Sequence, residues 1–386
     1  MAAGTIYLDN AATTPLDPQV RESMEMFLGD FFGNPSSLHA AGRRARAAVE
    51  EARAAIAGLL HAQPAEIVFT ASGTEATNLA LKGLTHGPPR IVTSAIEHPA
   101  VLETCRFLEA RGIEVVRVPV GADGIVEPKR LDDVLREPAR LVSIMTANNV
   151  VGTVQPVREL ARIAHARGAL FHTDAVQAVG RLPINVRSMD VDMLSLSAHK
   201  FHGPQGVGAL FVRKGIALAP LVHGGGQEGG LRSATENVAG IVGAGFAAAI
   251  AQRTMRDEAV RVVSLRDRIL EGILGSIPNA YLIGDRYRRL PGHLCLGFAG
   301  QEGEGIKLLL ALDQEGVAVS SGSACSAHNA GEPSHVLCAM GFDPIRARGS
   351  LRISLGRFNT NEDVERFLEI LPRVVATLRP IASRVS

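Results

Sequence analysis

The chain is expected to be an α/β protein: a large domain built on a mostly parallel central sheet, with a smaller α+β domain beside it. Three observations predict this. Between about residues 40 and 215 helical and strand periodicities alternate, the order that produces βα units. The apolar runs within that stretch are short and continuous, as strands covered on both faces are. Polar clusters fall where those runs end, the place where open α/β sheets bind their ligands.

The elements follow in order. In "AGRRARAAVEEARAAIAGLL", Val49, Ala52, Ile56 and Leu59 recur at helical spacing and mark one apolar face. The strand "EIVFT" comes next, and "RIVTS", "IEVVRVPV", "LVSIMT", "ALFHTD" and "MLSLS" are further strands. Helical patterns separate them, among them "VRELARIAHARG", which stops at Gly168 as a capped helix does. A long helix is expected over roughly 236–275. Beyond it, strand-like "HLCLGFAG", "VAVSSG" and "LRISLG" and a final amphipathic helix make up the smaller domain. The expected division is 15–258 for the large domain, with 1–14 and 259–386 forming the small one.

Composition narrows the function. Forty basic and thirty-nine acidic residues leave a net charge of +1 with no long run of one sign, which favours neither nucleic acid nor an anionic membrane and points to a small-molecule substrate. No apolar stretch is expected to span a bilayer. The opening "MAAGTIYLDNAATTP" lacks the basic-then-apolar order of a signal peptide, so a cytoplasmic location is expected. The four cysteines, Cys105, Cys295, Cys325 and Cys338, are scattered without CxxC spacing, and reduced thiols are expected.

Three polar clusters sit at strand ends. In "TASGTEATN" the residues Ser72 to Glu75 open a helix whose free N–H groups and dipole suit a phosphate, although S-x-x-E is also an ordinary capping box. Asp174 closes an apolar strand, where a carboxylate is costly unless a cation meets it; a cap or ion pair is the plainer alternative. Gln177 lies one turn on. Lys200, in "SAHKFHGP", is placed for Schiff-base chemistry, though a single lysine more often snorkels at a surface. One cofactor, pyridoxal 5'-phosphate, satisfies all three clusters: phosphate at the helix start, pyridine nitrogen at Asp174, aldehyde at Lys200.

Other candidates surround this core. His98 in "AIEHPAVLE" could lie flat against a ring, and the glycine-rich "HGGGQEGGLRSATEN" offers Arg232, Ser233 and Thr235 to phosphate oxygens. Cys325 in "AVSSGSACSAHNAGEPSH" has small polar neighbours and no apolar periodicity, which suits a reactive loop thiol activated by His328 or a bound intermediate. Cys105, Cys295 and Cys338 fall in apolar patterns and are expected to pack. Arg352 in "LRISLGRFN" carries the planar fork that clamps a carboxylate, with a structural salt bridge as the alternative.

Taken together, "YLDNAATTP", "GNPSSLHAAG", "TASGTEATNLALKG", "EHPAVLETC", "NNVVGTVQPV", "HTDAVQAVG", "SAHKFHGPQGVGALFVRKG", "GGGQEGGLRSATENV", "SSGSACSA", "EPSHVL" and "LRISLGRF" resemble, nearly end to end, the cysteine desulfurases of the NifS/IscS type, fold-type I pyridoxal-phosphate enzymes. The resemblance implies that Lys200 is the Schiff-base lysine, Asp174 the partner of the pyridine nitrogen and His98 the stacking residue. It places Asn149 and Gln177 near the ring hydroxyl, and Gly73, Thr74, Ser197, His199 and a partner subunit's copy of Thr235 on the phosphate. Asn34 and Arg352 match substrate-binding positions, and Cys325 matches the persulfide-forming cysteine.

The same resemblance implies a homodimer that converts L-cysteine to L-alanine and passes sulfur from Cys325 to an acceptor such as an iron–sulfur scaffold or sulfur-carrier protein. Transient iron or cluster ligation at Cys325 is part of that implication. Ala198, Gln205 and Ala234 depart from the commonest family pattern but leave the reacting groups in place; "SAHNAGEPSH" differs more, which bears on acceptor choice more than on chemistry. A selenocysteine lyase or aminotransferase of the same fold, and a non-catalytic partner in sulfur metabolism, are the competing readings.

Overall fold

The computed structural model of the 386-residue chain describes residues 5–321 and 332–378. Its strands are β1 (Ile6–Tyr7), β2 (Ile67–Thr70), β3 (Arg90–Ser94), β4 (Glu114–Val118), β5 (Leu141–Ser143), β6 (Leu170–Asp174), β7 (Met193–Ser197), β8 (Gly208–Val212), β9 (Ala280–Leu282), β10 (His293–Phe298), β11 (Val317–Ala318), β12 (Ser320–Ser321) and β13 (Leu351–Ser354). Its helices are α1 (Pro18–Leu28), α2 (Ala40–Leu60), α3 (Gly73–Gly83), α4 (Pro99–Glu109), α5 (Pro128–Val134), α6 (Val157–Ala166), α7 (Val186–Met189), α8 (Val238–Ser276), α9 (Gly305–Gln314), α10 (His335–Ala339) and α11 (Asn361–Thr377).

The central sheet has seven strands in the order β2-β8-β7-β6-β5-β3-β4. Only β8 runs antiparallel to its neighbours, so the mostly parallel expectation holds. Every residue of β2, β3, β5, β7 and β8 is buried, which is why those segments read as unbroken apolar runs rather than as alternating ones. The helix face marked by Val49, Ala52, Ile56 and Leu59 is buried as its spacing predicts. Strong local signals set helix starts: Ser72 caps α3, His98 caps α4 ahead of a proline, and Thr360 with Asp363 forms a capping box on α11.

A second sheet, β12-β13-β10-β9, lies in the C-terminal region, and the N-terminal β1 pairs with β11. Ile6 and Leu8 therefore pack in the same apolar cluster as Phe298, Ile353 and Phe367. The 258/259 point falls inside α8. The first half of that helix, from Ala239 to Ala251, packs with the large core, and its second half, from Val262 to Ile273, packs with the second cluster. By length and composition α8 passes the test for a helix able to cross a membrane, which corrects the expectation that no segment would. Its apolar side is occupied by α1 and α2, the packing of a core helix.

Candidate active site

The carboxyl ends of β5, β6 and β7 and the start of α3 enclose a cavity of about 280 Å³. Nine of the residues singled out in the sequence line it: Gly73, Thr74, His98, Asn149, Asp174, Gln177, Ser197, His199 and Lys200. They come from five separate stretches of chain, and strand order is what unites them. In a parallel sheet every strand delivers its last residue to the same edge.

At one end the first turn of α3 faces the cavity. Ser72 Oγ accepts from Glu75 N at 3.1 Å, and Glu75 Oε2 accepts from Ala71 N at 2.9 Å, so the capping role is filled. The anion-binding role is compatible with it, because Gly73 and Thr74 still open the helix beside the cavity. Position 73 has no room for a side chain: a Cβ there would lie 2.6 Å from Val176 Cγ2. Glycine lets the start of α3 pack closely against Val176 for that reason.

At the other end lies Asp174. Its Oδ1 accepts from Val176 N at 2.9 Å. Burial pushes its pKa up, against the opposing pull of His98, the Val176 hydrogen bond and Lys200. Such a carboxylate is satisfied best by a cation brought next to its second oxygen. His98 Nδ1 accepts from Ala100 N at 3.1 Å, so the helix cap fixes its ring orientation and leaves Nε2 as the protonated nitrogen of the neutral form.

Lys200 Nζ donates to the carbonyls of Ala11 at 2.7 Å and Ala12 at 2.6 Å. Gln177 Nε2 shares the Ala11 carbonyl at 2.9 Å. The N-terminal "NAATTP" segment thus forms the floor under the amine, a contact without any signal of its own in the sequence because it is made by backbone oxygens. His199 Nδ1 pairs with Thr13 Oγ1 at 3.0 Å, and burial, with the charges of Lys200 and Arg181, lowers its pKa to about 4. The ring is neutral at physiological pH.

Three further candidates lie outside this cavity. Arg352 on β13 donates from Nη1 to Asn149 O at 3.0 Å and from Nη2 to Asp9 Oδ1 at 2.8 Å, so the salt bridge exists, while its buried Nε has no partner. Asn34 is exposed, and its Oδ1 accepts from Ser36 N at 2.9 Å. Thr235 lines a separate cavity of about 300 Å³ with Glu236 and Asn237. In the same loop Arg232 is tied to Glu75 at 2.9 Å, and Ser233 Oγ accepts from Gly226 N at 3.2 Å. Cys325 and His328 lie outside the described residues.

The class-V aminotransferase family matches residues 6–367 of the chain. A cysteine desulfurase IscS of Dictyoglomus turgidum is 49% identical over 381 residues, covering 98% of this chain and 96% of that protein. This is a class-V aminotransferase-family protein of the cysteine desulfurase group. Among solved structures, a NifS-like protein superposes with a TM-score of 0.90 at 40% identity, covering 96% of this chain and 99% of that one. A structure described as SspA in complex with cysteine gives a TM-score of 0.80 at 37% identity, covering 92% and 99%.

In this cysteine desulfurase-group chain two of the described cysteines, Cys105 and Cys295, are unsuited to nucleophilic work. Burial pushes Cys105 and Cys295 up to about 12, and Cys338 is partly covered on α10. Among the described residues no three His, Cys, Asp or Glu side chains are grouped to hold a metal ion. One residue beside the site escaped sequence reasoning: Glu97, which precedes His98 and is fully buried. Its Oε1 accepts from Ser94 Oγ at 2.5 Å and Met145 N at 3.0 Å, while Oε2 has no partner. His335 Nε2, on α10, donates to its backbone carbonyl at 2.9 Å.

Burial, with Asp174 nearby, raises Glu97 to about 8, so it is a neutral acid at pH 7. The unfolded chain ionises near the ordinary 4.5. Between those values the native state holds the extra proton, and stability falls as pH rises, by about 1.4 kcal/mol per pH unit from this group. The E97Q variant lacks that slope. Urea titrations at pH 5 and pH 8 should show its stability relative to the parent growing by on the order of 2–4 kcal/mol across the window; an unchanged difference contradicts the buried neutral acid.

Proposed function

We infer that the chain is a pyridoxal-phosphate-dependent cysteine desulfurase that takes sulfur from L-cysteine, leaves L-alanine and carries the sulfur as a persulfide on Cys325. The observation that carries this reading is one amine, Lys200, set between a helix N-terminus with room for a phosphate and a buried carboxylate in want of a cation. The residues fit the cofactor. Position 73 has space only for glycine beside the anion site, Asp174 is buried where a protonated ring nitrogen would sit, and Lys200 Nζ already projects over Ala11 and Ala12.

Bound there, the cofactor supplies an electron sink for negative charge developing at the substrate α-carbon. The protein contributes the rest. The α3 N–H groups, Ser197 and His199 would hold the phosphate, Asp174 would keep the ring nitrogen protonated, His98 would stack on the ring, and Asn149 and Gln177 would contact the ring hydroxyl. Lys200 moves the proton from the substrate α-carbon. Arg352 and Asn34 receive the substrate amino acid. The Cys325 thiolate then attacks the substrate sulfur: the Cβ–S bond breaks, an S–S bond forms on Cys325, the electron pair stays on carbon, and protonation there yields alanine.

A homodimer working in the cytoplasm completes the reading. Leu28, Phe32 and Leu38, at 72%, 77% and 85% exposure, form an apolar stretch of the kind a second subunit covers. A partner subunit would bring its glycine-rich loop to this cavity, and an iron–sulfur scaffold or sulfur-carrier protein would accept the sulfur. Two assays decide the chemistry. Borohydride should fix a label on Lys200, and C325S should keep the yellow absorbance while sulfide and alanine production fall at least 10²-fold. Undiminished alanine production by C325S favours C–S cleavage that does not use Cys325, as in a selenocysteine lyase of the same fold, and amino transfer from cysteine to 2-oxo acids favours an aminotransferase.

A further inference from the structure

Four residues beyond Gln177, Arg181 reaches under the Lys200 turn. Gly180 makes this possible: its φ of +76° reverses the chain, and a Cβ there would lie 2.4 Å from Phe201 Cβ. Arg181 Nη1 donates to Gln177 Oε1 at 3.0 Å, and Nη2 donates to Asn10 O at 2.5 Å and to Lys200 O at 3.3 Å. All three acceptors are neutral. Among the described residues no carboxylate oxygen comes within 4.0 Å of this guanidinium.

The charges around it are already spoken for. From β13 and the N-terminal segment, Arg352 is paired with Asp9 at 2.8 Å. From the loop after β13, Arg357 is paired with Asp17 at 2.6 Å and with Glu258 of α8 at 2.8 Å. His199 and His202 flank the Lys200 turn, each lowered to about 4 chiefly by burial and partly by the Arg181 charge, and His293 of β10 is depressed in the same way. On the cavity side Asp174 faces Lys200 from β6. Burial and the Arg352 charge bring Arg181 itself down to about 10, which leaves it cationic at neutral pH.

We propose that Arg181 is a positioning residue for the Lys200 nitrogen: latched to the Lys200 backbone carbonyl and to the Asn10 carbonyl, next in sequence to the two that hold the amine, it sets a positive charge without a carboxylate partner beside the Lys200 turn and lowers that nitrogen's affinity for a proton. A neighbouring cation disfavours a protonated nitrogen. The neutral nitrogen is the form that attacks a carbonyl or takes up a proton from carbon. The same latch orients the Gln177 amide, because its oxygen must face Arg181 and its nitrogen the Ala11 carbonyl.

The inference rests on the reading of Lys200 as the nitrogen that binds the cofactor, and the test separates the two. The cofactor-loaded parent, R181K, R181Q and R181M are titrated between pH 5 and 10 by the absorbance of the bound chromophore. The midpoint should rise by about one pH unit in R181Q and R181M and stay within a few tenths of the parent in R181K. Unmoved midpoints in both neutral variants overturn the proposal, and so does an R181K shift as large as that of R181Q. Failure of the underlying reading looks different: the parent itself shows no chromophore and no borohydride label at Lys200.

Discussion

The K200A variant should convert cysteine to alanine about 10³-fold more slowly than the parent, or not measurably, while keeping its fold. The expected loss follows from the two duties of one nitrogen. General-base transfer by a positioned side chain is worth about 10²–10⁴-fold, and a lysine that also anchors the cofactor adds retention of that cofactor to the deficit. The structural cost is small. Lys200 Nζ donates to the Ala11 and Ala12 carbonyls, and losing a hydrogen bond of this type costs about 1 kcal/mol. Alanine assays beside a thermal melt monitored by circular dichroism check both halves. More than a tenth of parental activity in K200A would rule out the proposed role.

For D174N the signs of the two effects should be opposed. The native carboxyl titrates above its ordinary value because burial disfavours its charge. A group with a raised native pKa weakens the fold as pH rises above the unfolded value, so at neutral pH the cofactor-free protein carries a penalty for Asp174. Asparagine removes the charge and keeps the oxygen that accepts from Val176 N. Cofactor-free D174N should therefore unfold at higher urea than the parent at pH 7, with a gain that shrinks toward pH 4. Activity should fall by about 10²-fold or more, since an amide cannot hold the ring nitrogen protonated. A variant that loses both stability and activity would show that Asp174 is a structural acceptor rather than a preorganised partner for a cation.

This opposition is what a binding site built before its ligand arrives entails. Burial disfavours the charge of Asp174, Arg181 and Glu97, and among the described residues Glu97 Oε2 and Arg352 Nε are buried without a partner, so each group is unfavourable to the empty fold.

The amino-acid sequence by itself determined the strands, the long helices and the strand-end clusters holding Gly73, Thr74, His98, Asp174, Gln177 and Lys200, because periodicity, caps and turns are properties of adjacent residues, while Asn149 and the roles of Ser197 and His199 came from the family resemblance. It also singled out Cys325 among four cysteines, from the small polar residues on either side of it. Tertiary structure alone decided that the Ala11 and Ala12 carbonyls hold the Lys200 amine, that Asp9 occupies one arm of Arg352, that Glu97 is fully buried, and that Arg181 is bonded to the Lys200 backbone carbonyl. The reason is physical. These contacts join residues as many as 343 positions apart, several through backbone oxygens that every residue possesses, so side-chain identity along the chain carries no mark of them until the sheet is assembled.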